Sequence, residues 1–184
     1  MLNKTHIFTI LSLFSLINFP VVANMSEKNS LLIVVSISEQ KLYLYEKDTL
    51  ISSYPISTSK FGIGNQQDSN KTPLGKHKIA KKIGKDAPLN TIFIARRQMK
   101  KTAVINEEQG DVITSRILWL KGLEKGKNKG KGIDSYKRYI YIHGTAEEKA
   151  IGRPASHGCV RMLNSDVVTL FEQVSVNTQV MIQE

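Results

Sequence analysis

The sequence predicts a mainly β domain with about one helix packed on it, and three observations carry that prediction. Runs of strand length recur at close spacing: Leu31–Ser38, Lys41–Tyr45 and Thr49–Ser57. Period-2 alternation marks 139–143, where Tyr139, Tyr141 and His143 take one face and Ile140 and Ile142 the other. A single segment, 164–174, carries a helical apolar stripe with a start signal.

The first three runs read as a β-meander. In the second, leucines and tyrosines alternate, and Glu39-Gln40 is a plausible tight connection. Residues 59–72 are polar and read as loop. Thr72-Pro73-Leu74-Gly75 is turn chemistry, because proline presets φ and glycine tolerates a positive φ. Further strands are expected over Lys76–Ile83, Thr91–Ala95, Ile113–Leu120 and Gln179–Ile182. In 164–174, Val167, Leu170, Phe171 and Val174 fall at i, i+3, i+4 and i+7. Asn164 or Ser165 is the expected cap, and Asp166 sits in the first turn. Two segments read as solvated surface: the basic cluster Arg96, Arg97 and Lys100, and the Lys/Gly-rich stretch 121–132, which looks too rich in glycine and lysine to pack. A basic flap over a site is the sharper reading of 121–132. His77 reads as a surface or strand-packing residue.

The chain opens with an export pattern: Lys4, an apolar run from Ile7 to Phe19, then Pro20-Val21-Val22-Ala23. The run is short for a membrane span, which needs about 20 apolar residues. The expected organisation is a signal peptide at 1–23, a short flexible lead at 24–30 and one domain at 31–184; a retained anchor is the alternative. Localisation in the periplasm or cell wall follows. The formal charge of +10 falls by one when Lys4 leaves. So basic an exported protein is drawn to polyanions such as anionic wall polymers. Nucleic acid is set aside as a partner, since the chain shows no recognition-helix pattern and the compartment is wrong.

The chemistry centres on the only cysteine, Cys159, in Ser156-His157-Gly158-Cys159-Val160-Arg161, with His143 fourteen positions before His157. A lone thiol in an exported chain has no disulfide partner within it and is best explained as a nucleophile. A thiol attacks as thiolate, so it needs a base. His143 is preferred to His157, because a residue two positions away on the same strand is poorly directed to take the proton. The base then needs an orienting acceptor, and the Gly144 carbonyl would serve. Gly158 lets the backbone turn the amides of Gly158 and Cys159 toward a substrate oxygen, a donor arrangement worth about 2.7–4 kcal/mol per amide. Arg161 is a candidate for a substrate carboxylate, with a structural ion pair as the alternative. Tyr141 is a candidate for the substrate groove, with core packing as the alternative.

These residues resemble the L,D-transpeptidase (YkuD-type) catalytic domain. The matching stretches are Ile142-His143-Gly144-Thr145, Ile151-Gly152-Arg153-Pro154-Ala155 and Ser156-His157-Gly158-Cys159-Val160-Arg161-Met162, with Thr72-Pro73-Leu74-Gly75 as a second, weaker motif. The resemblance spans essentially all of 24–184. It implies an L,D-transpeptidase-like β-sandwich of mixed sheets. It implies Cys159 as nucleophile and His143 as proton donor and acceptor. His157 would hold the loop, Ser156 and Gly158 would shape the site, and Gly144 would act through its carbonyl. The implied substrates are peptidoglycan stem peptides, attacked at the third residue of a tetrapeptide with loss of D-alanine. The acceptor decides the product: a 3–3 cross-link, an exchanged stem, an anchored protein or, with water, L,D-carboxypeptidase activity. Carbapenem β-lactams are the implied inhibitors, and no cofactor is expected. From other classes, a zinc site of His143, His157 and Cys159 and a non-catalytic wall-binding module remain open.

Overall fold

A computed structural model describes residues 31–107 and 110–184. The stretches expected as signal peptide and lead lie outside the described residues. The strands are β1 (Leu31–Ser36), β2 (Lys41–Glu46), β3 (Thr49–Ser57), β4 (Gly75–Ile83), β5 (Thr91–Ile94), β6 (Arg97–Thr102), β7 (Ile113–Gly122), β8 (Tyr141–Thr145), β9 (Val160–Met162) and β10 (Gln179–Gln183). One helix, α1 (Asn164–Gln173), and a 3-10 turn at Glu148–Ala150 complete the elements among the described residues.

The strands form one sheet in the order β4-β10-β1-β2-β3-β9-β8-β7-β5-β6, and β4 also pairs with β7. That last pairing joins the two limbs of the sheet, so eight strands close on themselves and leave the β5–β6 hairpin as an extension of β7. The fold is mainly β, as predicted. β1–β10 and β8–β9 are parallel and the other pairs antiparallel. Both layers of the expected sandwich of mixed sheets therefore belong to one continuous sheet.

The first three strands form the predicted meander, with Leu42 and Leu44 fully buried and Tyr43 and Tyr45 on the outer face. β1 stops at Ser36, two residues short of expectation, because the chain turns at 37–40 and Gln40 takes φ +50. The Gln40 amide is buried there and holds Thr58 through both its ends, at 2.9 Å to the backbone N–H and 2.7 Å to Oγ1. The main core joins the inner residues of β1, β2, β8, β9 and β10 to α1 and the residue that caps its end: Val167, Leu170, Phe171 and the C-cap Val174 are buried as the stripe predicts.

Four local expectations are corrected or refined. The helix starts without a side-chain cap of its own: Leu163 is the N-cap, and the Glu148 carboxylate accepts the Asn164 N–H at 2.8 Å. The Asn164 side chain faces inward instead, donating to the Thr145 carbonyl at 2.8 Å and accepting from Thr114 and Ser115. Residues 97–102 form β6, so part of the basic cluster is an edge strand, and Arg96 at its turn stacks on Trp119 and Tyr139. The 121–132 stretch stays mostly exposed, as its surface reading expects, but it is anchored. Asn128 is fully buried and donates to the Leu74 and Lys76 carbonyls, while Gly122 lies against the Asn128 backbone so closely that a Cβ would not fit. Finally, Tyr139 precedes β8 with φ +58 and so leaves the alternation that begins at Ile140.

Candidate active site

β8 and the loop entering β9 build the site. Their pairing is parallel and sets Ile142 beside Val160, His143 beside Arg161 and Gly144 beside Met162. Alternate residues of a strand share a face. Ile142, Val160 and Met162 therefore point into the main core, and His143 and Arg161 take the other face. Cys159, one residue before β9, shares that face and reaches Tyr141, whose N–H lies 3.4 Å from Sγ. The thiol donates to the Tyr139 carbonyl, also at 3.4 Å. A cleft of about 410 Å³ opens over this face, lined among others by Cys159, His143, His157, Asp111, Arg138 and Tyr139.

His143 is buried, with Nδ1 2.7 Å from the Gly144 carbonyl, the acceptor that the sequence suggested. A carbonyl only accepts, so this contact assigns the proton to Nδ1 and leaves the lone pair on Nε2. Burial pushes the His143 imidazole below its ordinary 6.5, against the pull of the Asp111 charge. Burial also pushes the Cys159 thiol up to about 12, although the Tyr141 N–H favours the thiolate. Burial thus works against both charged forms, the thiolate and the imidazolium. Gly144 has no room for a side chain: a Cβ would meet Asn164 Oδ1 at 2.5 Å and the Thr114 carbonyl at 2.8 Å.

The loop that carries Cys159 is held from several sides. Ser156 Oγ donates to the Cys159 carbonyl at 2.6 Å and accepts the Gly158 N–H at 3.2 Å. Gly158 takes φ +121, a region that disfavours any other residue. Its amide is engaged inside the loop, while the Tyr141 N–H is directed at Sγ. Thr72 Oγ1 donates to the Gly158 carbonyl at 3.1 Å and accepts the Ser59 N–H at 3.0 Å. The Thr-Pro-x-Gly stretch, read from sequence as a turn and as the weaker motif of the resemblance, therefore supports the loop that carries Cys159.

A charged network lies beside it. Asp111 accepts from His157 Nδ1 at 2.8 Å and from Arg161 at 2.6 Å, and Arg161 also donates to Glu147 at 2.8 Å. Burial raises the Asp111 carboxyl, but the charges of His143 and Arg161 and its hydrogen bonds outweigh this and hold it below its ordinary 3.8. Arg161 is 1% exposed, so a substrate carboxylate would have to displace Asp111 or Glu147, and the ion-pair alternative fits the geometry. The Tyr141 side chain is buried edge-on against Trp119, and its hydroxyl accepts from Arg96 at 3.3 Å; only its backbone reaches the thiol. Asp111 and Glu147 were missed in the sequence. Each sits in a polar stretch with no motif spacing to single it out. His77 is buried on β4, between the Gly75 carbonyl and Ser135 Oγ, away from the cleft. Among the described residues, no group of three or more His, Cys, Asp or Glu side chains is arranged to hold a metal ion.

The comparisons with known proteins agree on one family. The family model described as the L,D-transpeptidase catalytic domain (YkuD) matches residues 30–182. The probable L,D-transpeptidase YbiS of Escherichia coli K12 is 31% identical over 161 residues, covering 80% of this chain and 43% of the relative. The putative L,D-transpeptidase YkuD of Bacillus licheniformis is 27% identical over 150 residues, covering 82% and 64%. The chain spans less than two thirds of the length of these curated relatives. Among solved structures, an L,D-transpeptidase from Mycobacterium smegmatis superposes with a TM-score of 0.54 at 14% identity, covering 84% of this chain and 59% of that one. The L,D-transpeptidase LdtMt1 in complex with imipenem gives 0.52 at 16% identity, with the same coverages.

Proposed function

We propose, since the chain belongs to the L,D-transpeptidase (YkuD) family, that it is an exported cysteine acyltransferase acting on the tetrapeptide stems of peptidoglycan. The observation that carries this reading is the parallel β8–β9 register. It sets His143 and Cys159 on one face and in one cleft, with the His143 tautomer assigned by the Gly144 carbonyl.

Cys159 Sγ attacks the carbonyl of the third stem residue, and its proton passes to His143 Nε2. The carbonyl oxygen becomes an oxyanion beside the Tyr141 N–H. As the tetrahedral intermediate collapses, the C–N bond to the terminal D-alanine breaks, and His143 returns the proton to the departing amine. A thioester on Cys159 remains. An acceptor amine then attacks it, giving its proton to His143, which returns it to the thiolate. Burial disfavours a free thiolate, which favours a general-base step in which His143 takes the proton as the sulfur–carbon bond forms. Carbapenems enter at the same point. The lactam carbonyl takes the place of the stem carbonyl, as the imipenem complex of a structural relative suggests.

Intact-mass measurement tests the reading. The mature protein is incubated with disaccharide-tetrapeptide, with and without excess D-methionine, beside Cys159→Ala. Loss of D-alanine with D-methionine incorporated, absent in the variant, is the expected result. Loss of D-alanine with no amine ever incorporated would make the protein an L,D-carboxypeptidase. A carbapenem mass adduct on Cys159→Ala would overturn the assignment of the nucleophile.

A further inference from the structure

The cleft continues past Cys159 into a smaller pocket of about 170 Å³, and the two share Asn70, Arg138, Tyr139, Ile140 and His157 along their seam. The permanent cation on that seam is Arg138, which the sequence did not single out. Its guanidinium is clamped from one side: Nη2 donates to the Lys71 carbonyl at 2.7 Å, Nη1 to the Gly64 carbonyl at 3.2 Å, and Ser69 Oγ lies 3.5 Å from Nη2. A guanidinium carries five N–H donors in a rigid fork. These contacts use three at most, so the group is held still with donors to spare. Burial lowers the Arg138 pKa, and its charge is felt at the Cys159 sulfur. Arg161, the other cation that the thiol feels, is committed to Asp111 and Glu147.

We propose that Arg138 and the small pocket form the subsite for the carboxylate of the leaving residue. The inference rests on the acyl-transfer reading above. In a C-terminal peptide unit the carboxylate carbon is three bonds from the scissile carbonyl carbon. A cation on the wall beside the nucleophile can therefore hold that carboxylate while the carbonyl sits over Sγ. A charge-assisted, two-pronged contact suits an arginine fixed in this way. Asp68 and Lys137 line the same small pocket. Asp68 opposes an anion, but it is exposed and its charge is screened by solvent.

The test compares disaccharide-tetrapeptide with its C-terminal carboxamide, following release of D-alanine or D-alaninamide by the mature protein. Wild type should prefer the carboxylate by about 10- to 100-fold in kcat/KM. In Arg138→Gln the preference should fall to within a few-fold, with the carboxamide rate little changed. Arg138→Lys should retain part of the preference, and Asp68→Asn should widen it. Equal losses on both substrates in Arg138→Gln would make Arg138 a strut for 64–71 and overturn the inference. So would a wild type with no preference. If Arg138→Gln does not fold, the wild-type ratio and the direction of the Asp68→Asn change decide. A wild type that releases D-alanine and forms an acyl-Cys159 but shows no preference defeats the subsite alone. One that does neither defeats the acyl-transfer reading, and the subsite with it.

Discussion

The β8–β9 pair has two faces that stabilise the protein by different physics. Ile142, Val160 and Met162 are fully buried on one face and join α1 in the main core. His143, Tyr141 and Arg161 are buried on the other, with Cys159 half-buried among them and packed against the second, aromatic cluster. Each core side chain contributes about 1.5–3 kcal/mol through burial that has no direction. The polar face depends on partners. Asp111 comes from before β7, Glu147 from beyond β8, Arg138 from the turn before β8, and Thr72 from the loop before β4. Buried charges gain little net stability from pairing but cost heavily when one partner is lost. The comparison suggests a division of work. The apolar face fixes the strand pair, and that rigidity lets the opposite face hold a desolvated thiol and a desolvated base in register.

Substitutions on the two faces should therefore separate activity from stability. The largest effect is expected for His143→Ala, which should lower D-alanine release by about 10²- to 10⁴-fold with an unchanged β signature in circular dichroism. Unfolding of this variant would show that the polar face also holds the strands. Arg161→Met should come next, lowering the urea-unfolding free energy by at most about 3–5 kcal/mol, because the pairs are lost while Asp111 and Glu147 stay partly open to solvent. Adding Asp111→Asn should recover part of that loss. Full stability of Arg161→Met alone would mean that the network is not a structural support. Met162→Ala, on the apolar face, should cost about 2–5 kcal/mol and leave kcat unchanged at temperatures where the variant is folded.

Legibility followed the same division. The β-meander, the helical stripe and the 179–182 strand were readable because their signals are periodic and local. The placement of His143 and Cys159 in one cleft, and of the Gly144 carbonyl on the imidazole, was readable because strand alternation and the stretch 156–161 point to it. Asp111, Glu147 and Arg138 were not, since each meets the site only through tertiary contact. The helix cap was misread for a related reason. Asn164 has the composition of a cap, but Thr145, Glu148, Thr114 and Ser115 offer its amide a fuller set of partners inward. The anchoring of 121–132 was not readable, because composition says nothing of the one residue, Asn128, that supplies it.

The smallest effect sharpens the comparison most, because protons distinguish the two faces. His143 is held below its ordinary pKa chiefly by burial, so the unfolded chain binds its proton at higher pH than the folded one. The stability from a neutral, buried His143 is fully present above about pH 6.5 and is lost as pH falls toward the folded value. His77, lowered to about 4 by burial, contributes in the same direction from a site away from the cleft. Each histidine adds a slope of at most about 1.4 kcal/mol per pH unit. Urea-unfolding free energies measured from pH 7.5 to 4.5 should therefore fall on the acid side in wild type. They should fall less steeply in His77→Asn, and the further flattening on adding His143→Gln isolates the cleft histidine. Met162→Ala should lie below wild type by a constant offset at every pH, because an apolar face has nothing to titrate. An offset that grew or shrank with pH would show that the two faces are energetically coupled through the strands, and the division of work between them would not hold.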